Sequence, residues 1–166
     1  MNGKHQLART VEVNAGPAAI WSVIADSTLL PQWASVVQHV AYVTGDEDGV
    51  GMTRRCNVAF AGREGTLTEQ CVEFVPNRRA SYVVVQDTIG FNRMLDDYGF
   101  TLTLHPQPTR GPTERTGLRI DTYYTPRNLR YALMNRVVLK RRMRSVADDL
   151  LQGLKRISER RATAPA

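Results

Sequence analysis

The chain has 166 residues, 42% of them hydrophobic and 23% charged, which is typical of one globular domain. Its apolar stretches are too short to span a bilayer and its first residues carry no secretory signal pattern, so we expect a cytoplasmic protein. The formal net charge of +6 is unevenly placed, because residues 127–161 carry +8 (eleven Lys or Arg against three acids) and the remainder −2.

The chain is predicted to open with a strand and two short helices. Residues 7–14 alternate between apolar and polar side chains, which is the period of a strand. Pro17 suits the first position of a helix, and apolar residues follow it with helical spacing. A second short helix is expected from Thr28 towards Trp33, ending around Pro31.

Six further strands are predicted between residues 36 and 124, separated by turns rich in Gly, Pro, Asn and Asp. Consecutive strands joined by short turns pair in antiparallel fashion. The stretch 106–112 is a loop by composition. The predicted strands are Val36–Thr44, Met52–Phe60, Gly65–Val75, Ser81–Gln86, Asp97–His105 and Leu118–Tyr124.

A long helix is predicted to follow the strands. Thr125 is a suitable N-cap and Pro126 a suitable first helical residue, and no proline interrupts the sequence from there to about Arg161. Gly153 is the only glycine in this stretch, and residues 162–166 are expected to form a disordered tail after a domain of residues 1–161. The second half carries a continuous apolar stripe: Met143, Val146, Ala147, Leu150, Leu154 and Ile157.

The first half of that helix has a mixed face. Leu129, Leu133 and Val137 continue the stripe, but Arg136 and Lys140 interrupt it. Such a helix suits tight packing at one end and a covering role at the other. The basic residues indicate either an anionic partner, such as a membrane surface, or a solvated helix face, and we favour the solvated face. Nucleic-acid binding is not expected, because no interleaved aromatic residues or recognised motif accompany the charge.

This order of elements predicts an α+β fold, in which a curved antiparallel sheet wraps round the long C-terminal helix. A strongly bent sheet with one helix across its concave face encloses more volume than side chains easily fill. The interior is therefore the expected ligand site.

Four motifs also resemble a known family. They are Pro17–Trp21 with Asp26 and Pro31–Trp33, then Gly49–Arg54, Glu73–Arg79 and Leu154–Glu159. Their order and spacing resemble the START and birch-pollen-allergen (helix-grip) superfamily, above all its bacterial polyketide cyclase/dehydrase and lipid-transport branch. The resemblance implies a cavity for lipids, aromatic polyketides, quinones or hormones, in members that either catalyse or only bind. The quinone-binding branch is less favoured, because Leu30-Pro31-Gln32-Trp33 lacks its Tyr-Pro pair.

The sequence offers little conventional catalytic chemistry. The three histidines have no ligand spacing and no nucleophile motif is present, so neither a metal nor a cofactor is expected. A four-residue loop, 62–65, would set Cys56 opposite Cys71 across a hairpin, but two free thiols are the preferred interpretation. Arg54 shares a strand face with apolar residues, and an inward Arg would grip a carbonyl or carboxylate.

The predicted cavity residues are apolar or aromatic side chains in phase with the concave face, together with Arg54. Trp33 is either a ligand-facing lid or a core residue, and the loop 91–95 either rims the cavity or tucks under the sheet edge. Tyr82, Tyr98 and Tyr124 would present hydroxyl groups. The full set is Trp33, Arg54, Phe60, Tyr82, Met94, Tyr98, Phe100, Tyr124, Met134 and Val138.

The predicted function is binding of a hydrophobic or aromatic small molecule, a lipid, polyketide or similar, without a cofactor. One alternative is a cyclase or dehydratase that polarises a carbonyl with Arg54 and a tyrosine; a buried polar pair at the cavity would favour it over a uniformly apolar lining. A second alternative is an interaction module that uses the basic C-terminal helix. The sequence leaves the oligomeric state open.

Overall fold

The computed structural model describes residues 2–45, 48–108 and 114–163. Within them the chain forms one curved antiparallel sheet of seven strands in the order β1-β7-β6-β5-β4-β3-β2. The strands are β1 (His5–Val13), β2 (Val37–Thr44), β3 (Thr53–Phe60), β4 (Arg63–Val75), β5 (Arg79–Asp87), β6 (Leu95–Gln107) and β7 (Arg115–Pro126).

The helices lie between β1 and β2 and after β7. They are α1 (Pro17–Ile24), α2 (Leu30–Trp33), α3 (Leu129–Met134) and α4 (Lys140–Thr163). A 3₁₀ turn (Ser27–Leu29) precedes α2, another (Phe91–Arg93) precedes β6, and a π-helical turn (Asn135–Leu139) joins α3 to α4. The predicted helix-grip fold, with a long C-terminal helix covering residues 129–163, is confirmed.

The core forms where α1, α2 and α4 pack against the sheet. α1 buries the apolar positions that its spacing predicts, Ile20, Val23 and Ile24 among them. α4 contacts β1, α1 and α2, and its Gly153 lies directly against the Trp33 carbonyl of α2. A Cβ atom at Gly153 would overlap the carbonyl of Trp33, so only glycine permits this contact.

The start of the C-terminal helix differs from its prediction. Thr125 and Pro126 belong to β7, where they pair with Asp96 and Leu95, so neither begins the helix. Asn128 is the N-cap instead, and its side chain accepts a hydrogen bond from the Tyr131 N–H at 3.0 Å.

Three other boundaries also shift. Pro31 lies in the first turn of α2, where its missing N–H is tolerated, so the helix continues through it to Trp33. β6 continues through Gln107, into the predicted loop 106–112, of which residues 109–112 lie outside the described residues. α4 continues to Thr163, past the predicted helix end at about Arg161, and residues 164–166 of the predicted tail are not among those described.

The first half of the C-terminal helix is poorly covered. None of the residues of α3 is buried, and Leu129, which was predicted to continue the apolar stripe, is 86% exposed. A hydrogen bond of 2.7 Å from the Tyr124 hydroxyl to the Asn135 side chain attaches the π-helical turn to β7. Across the described ranges, no helix combines the length and the apolarity that crossing a bilayer requires.

Candidate ligand cavity

A cavity of about 80 Å³ lies between the concave face of the sheet and helices α2 and α4. α4 supplies one wall through Met143, Val146, Ala147 and Leu150, whose spacing places them on one helix face. Inward-facing side chains of β3, β4, β6 and β7 form the opposite wall. The lining is mainly apolar, which suits a hydrophobic ligand.

Two charged residues interrupt this apolar lining. Arg54 on β3 and Glu69 on β4 are directly opposite each other in the hairpin, and both are buried. The Nε and Nη2 atoms of Arg54 lie 2.9 and 2.8 Å from Oε2 of Glu69. The cavity therefore contains a fixed, charged hydrogen-bonding group in an apolar wall.

A second set of hydrogen bonds holds the guanidinium from its other side. Nη1 of Arg54 donates to the Ser27 hydroxyl at 2.9 Å, and that hydroxyl donates to Asp48 at 2.6 Å. Asp48 also accepts hydrogen bonds from the Ser27 N–H and the Tyr42 hydroxyl, both at 2.7 Å. Burial and the bond to Asp48 raise the pKa of Tyr42 to about 12, so its hydroxyl stays protonated and donates.

Tyr82 supports Arg54 through its ring, with Cζ of Arg54 4.0 Å from the ring centroid. Burial alone would lower the pKa of Arg54, but the neighbouring Glu69 carboxylate outweighs it, so the pKa lies above its ordinary value and the group is charged. A guanidinium has five N–H donors, and Glu69 and Ser27 engage three of them. The other two have no hydrogen-bond partner within residues 2–45, 48–108 and 114–163, and Arg54 lines the cavity.

Two further polar groups belong to the cavity lining. Trp33 is buried, and its indole N–H finds no acceptor within the described part of the chain. A buried donor without an acceptor is costly, which points to a partner that the protein itself does not supply. Burial raises the pKa of Tyr98 above its ordinary value, so its hydroxyl remains a donor at neutral pH.

Four of the predicted cavity residues line the cavity: Trp33, Arg54, Tyr98 and Phe100. Tyr82 and Tyr124 are buried behind this first layer, where Tyr82 stacks on Phe100 with ring centroids 5.4 Å apart. Burial raises the pKa of Tyr124 to about 12, and its hydroxyl is already engaged by the protein.

The remaining four predicted residues do not line the cavity. Phe60 and Met94 are half-buried and pack against the core. Met134 is half-buried and Val138 is 45% exposed, because this stretch of the C-terminal helix buries their neighbours Asn135 and Leu139 instead. The loop around Phe91 tucks inwards, with the Phe91 ring packed edge-on against Phe60 and Tyr98.

Sequence reasoning missed Glu69, although a signal was present. The turn between β3 and β4 consists of Ala61 and Gly62 alone, since Phe60 pairs with Arg63. This register sets Arg54 opposite Glu69 and sets Cys56 opposite Leu67 rather than Cys71. Had a two-residue turn been predicted here instead of a four-residue loop, Arg54 and Glu69 would have been predicted to lie opposite each other. The two cysteines are buried free thiols.

Comparison with known proteins fits this architecture. Residues 4–159 match the sequence profile described as polyketide cyclase / dehydrase and lipid transport. The chain belongs to this family. No curated protein sequence matches the chain significantly. The family expected from the four sequence motifs is therefore confirmed over nearly the whole chain.

Solved structures show the same fold in distant relatives of this cyclase/dehydrase and lipid-transport family member. The Zhui aromatase/cyclase from Streptomyces sp. R1128 superposes with a TM-score of 0.71 at 22% identity, covering 97% of this chain and 96% of that one. A START superfamily protein from Mycobacterium smegmatis gives 0.66 at 20% identity, covering 95% and 97%. Major latex-like protein 151 from Panax ginseng gives 0.62 at 13%, also covering 95% and 97%. At these identities the likeness establishes the fold alone.

Proposed function

We propose that the cavity binds a hydrophobic or aromatic small molecule, such as a lipid or polyketide, that carries at least one hydrogen-bond acceptor. The observation that carries this proposal is the buried, charged Arg54, which lines a mainly apolar cavity and has N–H donors without a partner among the described residues. A buried ion pair generally contributes little net stability compared with apolar packing. Binding of a ligand's hydrogen-bond acceptor would explain why this ion pair lies in the cavity wall.

The acceptor would lie between Arg54 and the indole N–H of Trp33. Both side chains line the same cavity, and the indole has no acceptor within residues 2–45, 48–108 and 114–163. A carbonyl or carboxylate oxygen can accept both donors, while the ring or chain of the ligand contacts Phe100 and the α4 side chains.

The size of the cavity limits what enters it without rearrangement. Pockets for drug-sized ligands measure roughly 300–1,000 Å³, whereas this cavity measures about 80 Å³. A polycyclic or lipid ligand therefore requires the wall between α4 and the sheet to move outwards. α3, none of whose residues is buried, is the part of the C-terminal helix with the least packing to lose.

A second candidate is catalysis of the cyclase or dehydratase kind. The observation that favours it is the buried polar pair of Arg54 and Glu69 in the cavity wall. A protein that only carries apolar ligands needs no such pair, because an apolar lining is enough. Arg54 and the protonated Tyr98 would donate to a ligand carbonyl as negative charge develops on its oxygen. The Glu69 carboxylate would keep Arg54 in place during that change.

Thermal-shift screening of the purified protein with lipids, quinones and aromatic polyketides tests binding. A melting temperature that rises with ligand concentration is the expected result. Ala147→Phe and the smaller Ala34→Leu fill the cavity and should remove the shift, while Gln152→Phe, at an exposed position on the same helix, should keep it. An equal shift in the filled variants, or no shift with any compound, would overturn the proposal.

Mass spectrometry of each compound that binds separates the two candidates. Catalysis would be established if the compound loses water or forms a cyclised isomer with altered chromatographic retention, and if the amount of product depends on protein concentration. Arg54→Lys keeps the charge but loses the planar fork, so turnover should fall more than binding if Arg54 polarises a carbonyl. Unchanged compounds throughout would leave binding as the function.

A further inference from the structure

The first half of the C-terminal helix carries a surface that the cavity does not use. Leu129, Leu133, Val137 and Val138 are 86%, 64%, 65% and 45% exposed, and these four side chains are called the apolar patch below. Leu129, Leu133 and Val137 are four residues apart, so they follow one another along one side of the helix. Large aliphatic residues that line up in solvent mark an interaction surface.

The same segment is strongly basic. Residues 127–147 contain seven Lys or Arg residues and no acidic residue. Arg127 pairs with Asp96 at 2.8 Å, whereas the other six form no ion pair with any described acid. Those six residues are Arg130, Arg136, Lys140, Arg141, Arg142 and Arg144. Their charge is therefore available to an external partner.

We propose that the apolar patch and these cations dock on an anionic lipid membrane, with α3 and the π-helical turn lying in the headgroup region. Helices that lie in a membrane interface combine aliphatic residues with Lys and Arg in this way. Anionic headgroups would attract the cations, and the four aliphatic side chains would enter the acyl boundary.

Other occupants fit the surface less well. A second copy in a symmetric contact would bring the two basic segments together, and like charges repel. Nucleic-acid duplexes are bound through cations and single strands also through stacked aromatic rings, and neither accounts for an exposed aliphatic patch. An acidic protein would need a groove that matches this helix in shape as well as in charge. A lipid surface needs no matching shape.

The proposal does not depend on what the cavity holds. Met143, Val146 and Ala147, which line the cavity, follow the patch along the same continuous helix. Docking would therefore bring the cavity wall close to the lipid layer whether its ligand is a lipid, a polyketide or neither.

Vesicle flotation of the full chain tests the docking. Wild type should float with vesicles of phosphatidylglycerol in phosphatidylcholine at low salt, and not with phosphatidylcholine alone. Binding should weaken as salt rises, because screening acts on exposed charges. Failure to float with the anionic vesicles at low salt would overturn the proposal.

Two double variants separate the apolar and cationic contributions. Arg136→Glu with Lys140→Glu should weaken binding at least about tenfold, because each surface cation contributes roughly a factor of five in affinity. Arg156→Glu with Arg160→Glu, at the far end of α4, makes the same change in net charge and should have little effect. An equal loss of vesicle binding in the control variant would show that binding depends on net charge alone and not on a particular docking surface, and it would overturn the proposal.

Leu129→Ser with Leu133→Ser removes most of the exposed aliphatic surface and should weaken binding by about tenfold. Val50→Ser with Val85→Ser, at exposed sites away from the helix, is the matched control. All four positions are exposed, so folding should be retained in each variant. Undiminished binding of the leucine variant would show that the aliphatic side chains do not insert into the lipid, and it would overturn the proposal.

Discussion

The guanidinium of Arg54 and the carboxylate of Glu69 meet at 2.8 Å across the β3–β4 hairpin, at the wall of the cavity. Both side chains are buried, and Arg54 is almost completely removed from solvent. Taking the charge of either group out of water is costly unless the partner remains. The two residues should therefore be coupled in stability as well as in geometry.

Removing one partner should destabilise the fold strongly. Arg54→Met leaves the Glu69 carboxylate buried without its cation, and Glu69→Gln leaves the guanidinium without its counter-charge. Each change should cost about 3–5 kcal/mol in the free energy of unfolding. Urea denaturation monitored by circular dichroism measures this loss.

The double variant Arg54→Met/Glu69→Leu supplies the control. Because it removes both charges, it should unfold at a higher urea concentration than either single variant. If the loss of unfolding free energy in the double variant equals the sum of the losses in the two single variants, the broken ion pair is not what destabilises the single variants. The ligand-induced thermal shift should be absent from the double variant, since the acceptor would lose Arg54.

Much of the fold could be predicted from the sequence, because its signals are local and repeated. Strand alternation, turn residues and the apolar stripe of α4 each predicted elements that the structure contains. The beginning of the C-terminal helix was mispredicted for a non-local reason. Thr125 and Pro126 favour a helix start locally, but pairing with Asp96 and Leu95 on β6 keeps them in the sheet.

The site was only partly predictable, because it depends on register and exposure. A two-residue difference in the predicted turn hid the Arg54–Glu69 pair, since register decides which residues face each other. Apolar spacing likewise suggested that Leu129 and Val138 are covered, but no described element packs over them. An apolar side chain is expected to be buried, but the sequence does not show whether the protein's own core or another surface covers it.

The contact between Gly153 and Trp33 predicts that a glycine-to-alanine substitution within a helix lowers stability instead of raising it. Replacing a mid-helix glycine by alanine normally stabilises by about 1 kcal/mol. Here Gly153→Ala should destabilise, because the added Cβ would overlap the Trp33 carbonyl and push α4 away from α2. Gln152→Ala, at the exposed neighbouring position, is the control and should be neutral or slightly stabilising. A higher melting temperature for Gly153→Ala would contradict the close approach.

The β3–β4 turn offers a stabilising substitution. Ala61 and Gly62 have φ of 55° and 77°, the left-handed values that a two-residue hairpin turn requires. Alanine is strained there by roughly 1 kcal/mol, while asparagine tolerates this conformation. Ala61→Asn should therefore raise the melting temperature. Gly62→Ala should lower it, and the idea fails if both substitutions shift stability in the same direction.

The outer face of the sheet predicts a pH dependence. Burial favours the protonated form of Asp121, but hydrogen bonds from Arg119 and His5 outweigh it, so the pKa of Asp121 lies below its ordinary value of 3.8. The folded protein then binds fewer protons than the unfolded chain just below that value. The stabilisation is complete above pH 3.8 and is lost as the pH falls through the lowered pKa.

Urea midpoints measured between neutral and strongly acidic pH test this prediction. Asp121→Asn should be less stable than wild type at neutral pH, and the difference should shrink as the pH drops below 3.8. Glu12→Gln removes one exposed carboxylate from β1 and serves as the matched change in charge. A constant gap between Asp121→Asn and wild type at every pH would mean that the residue contributes packing or neutral hydrogen bonds rather than its charge.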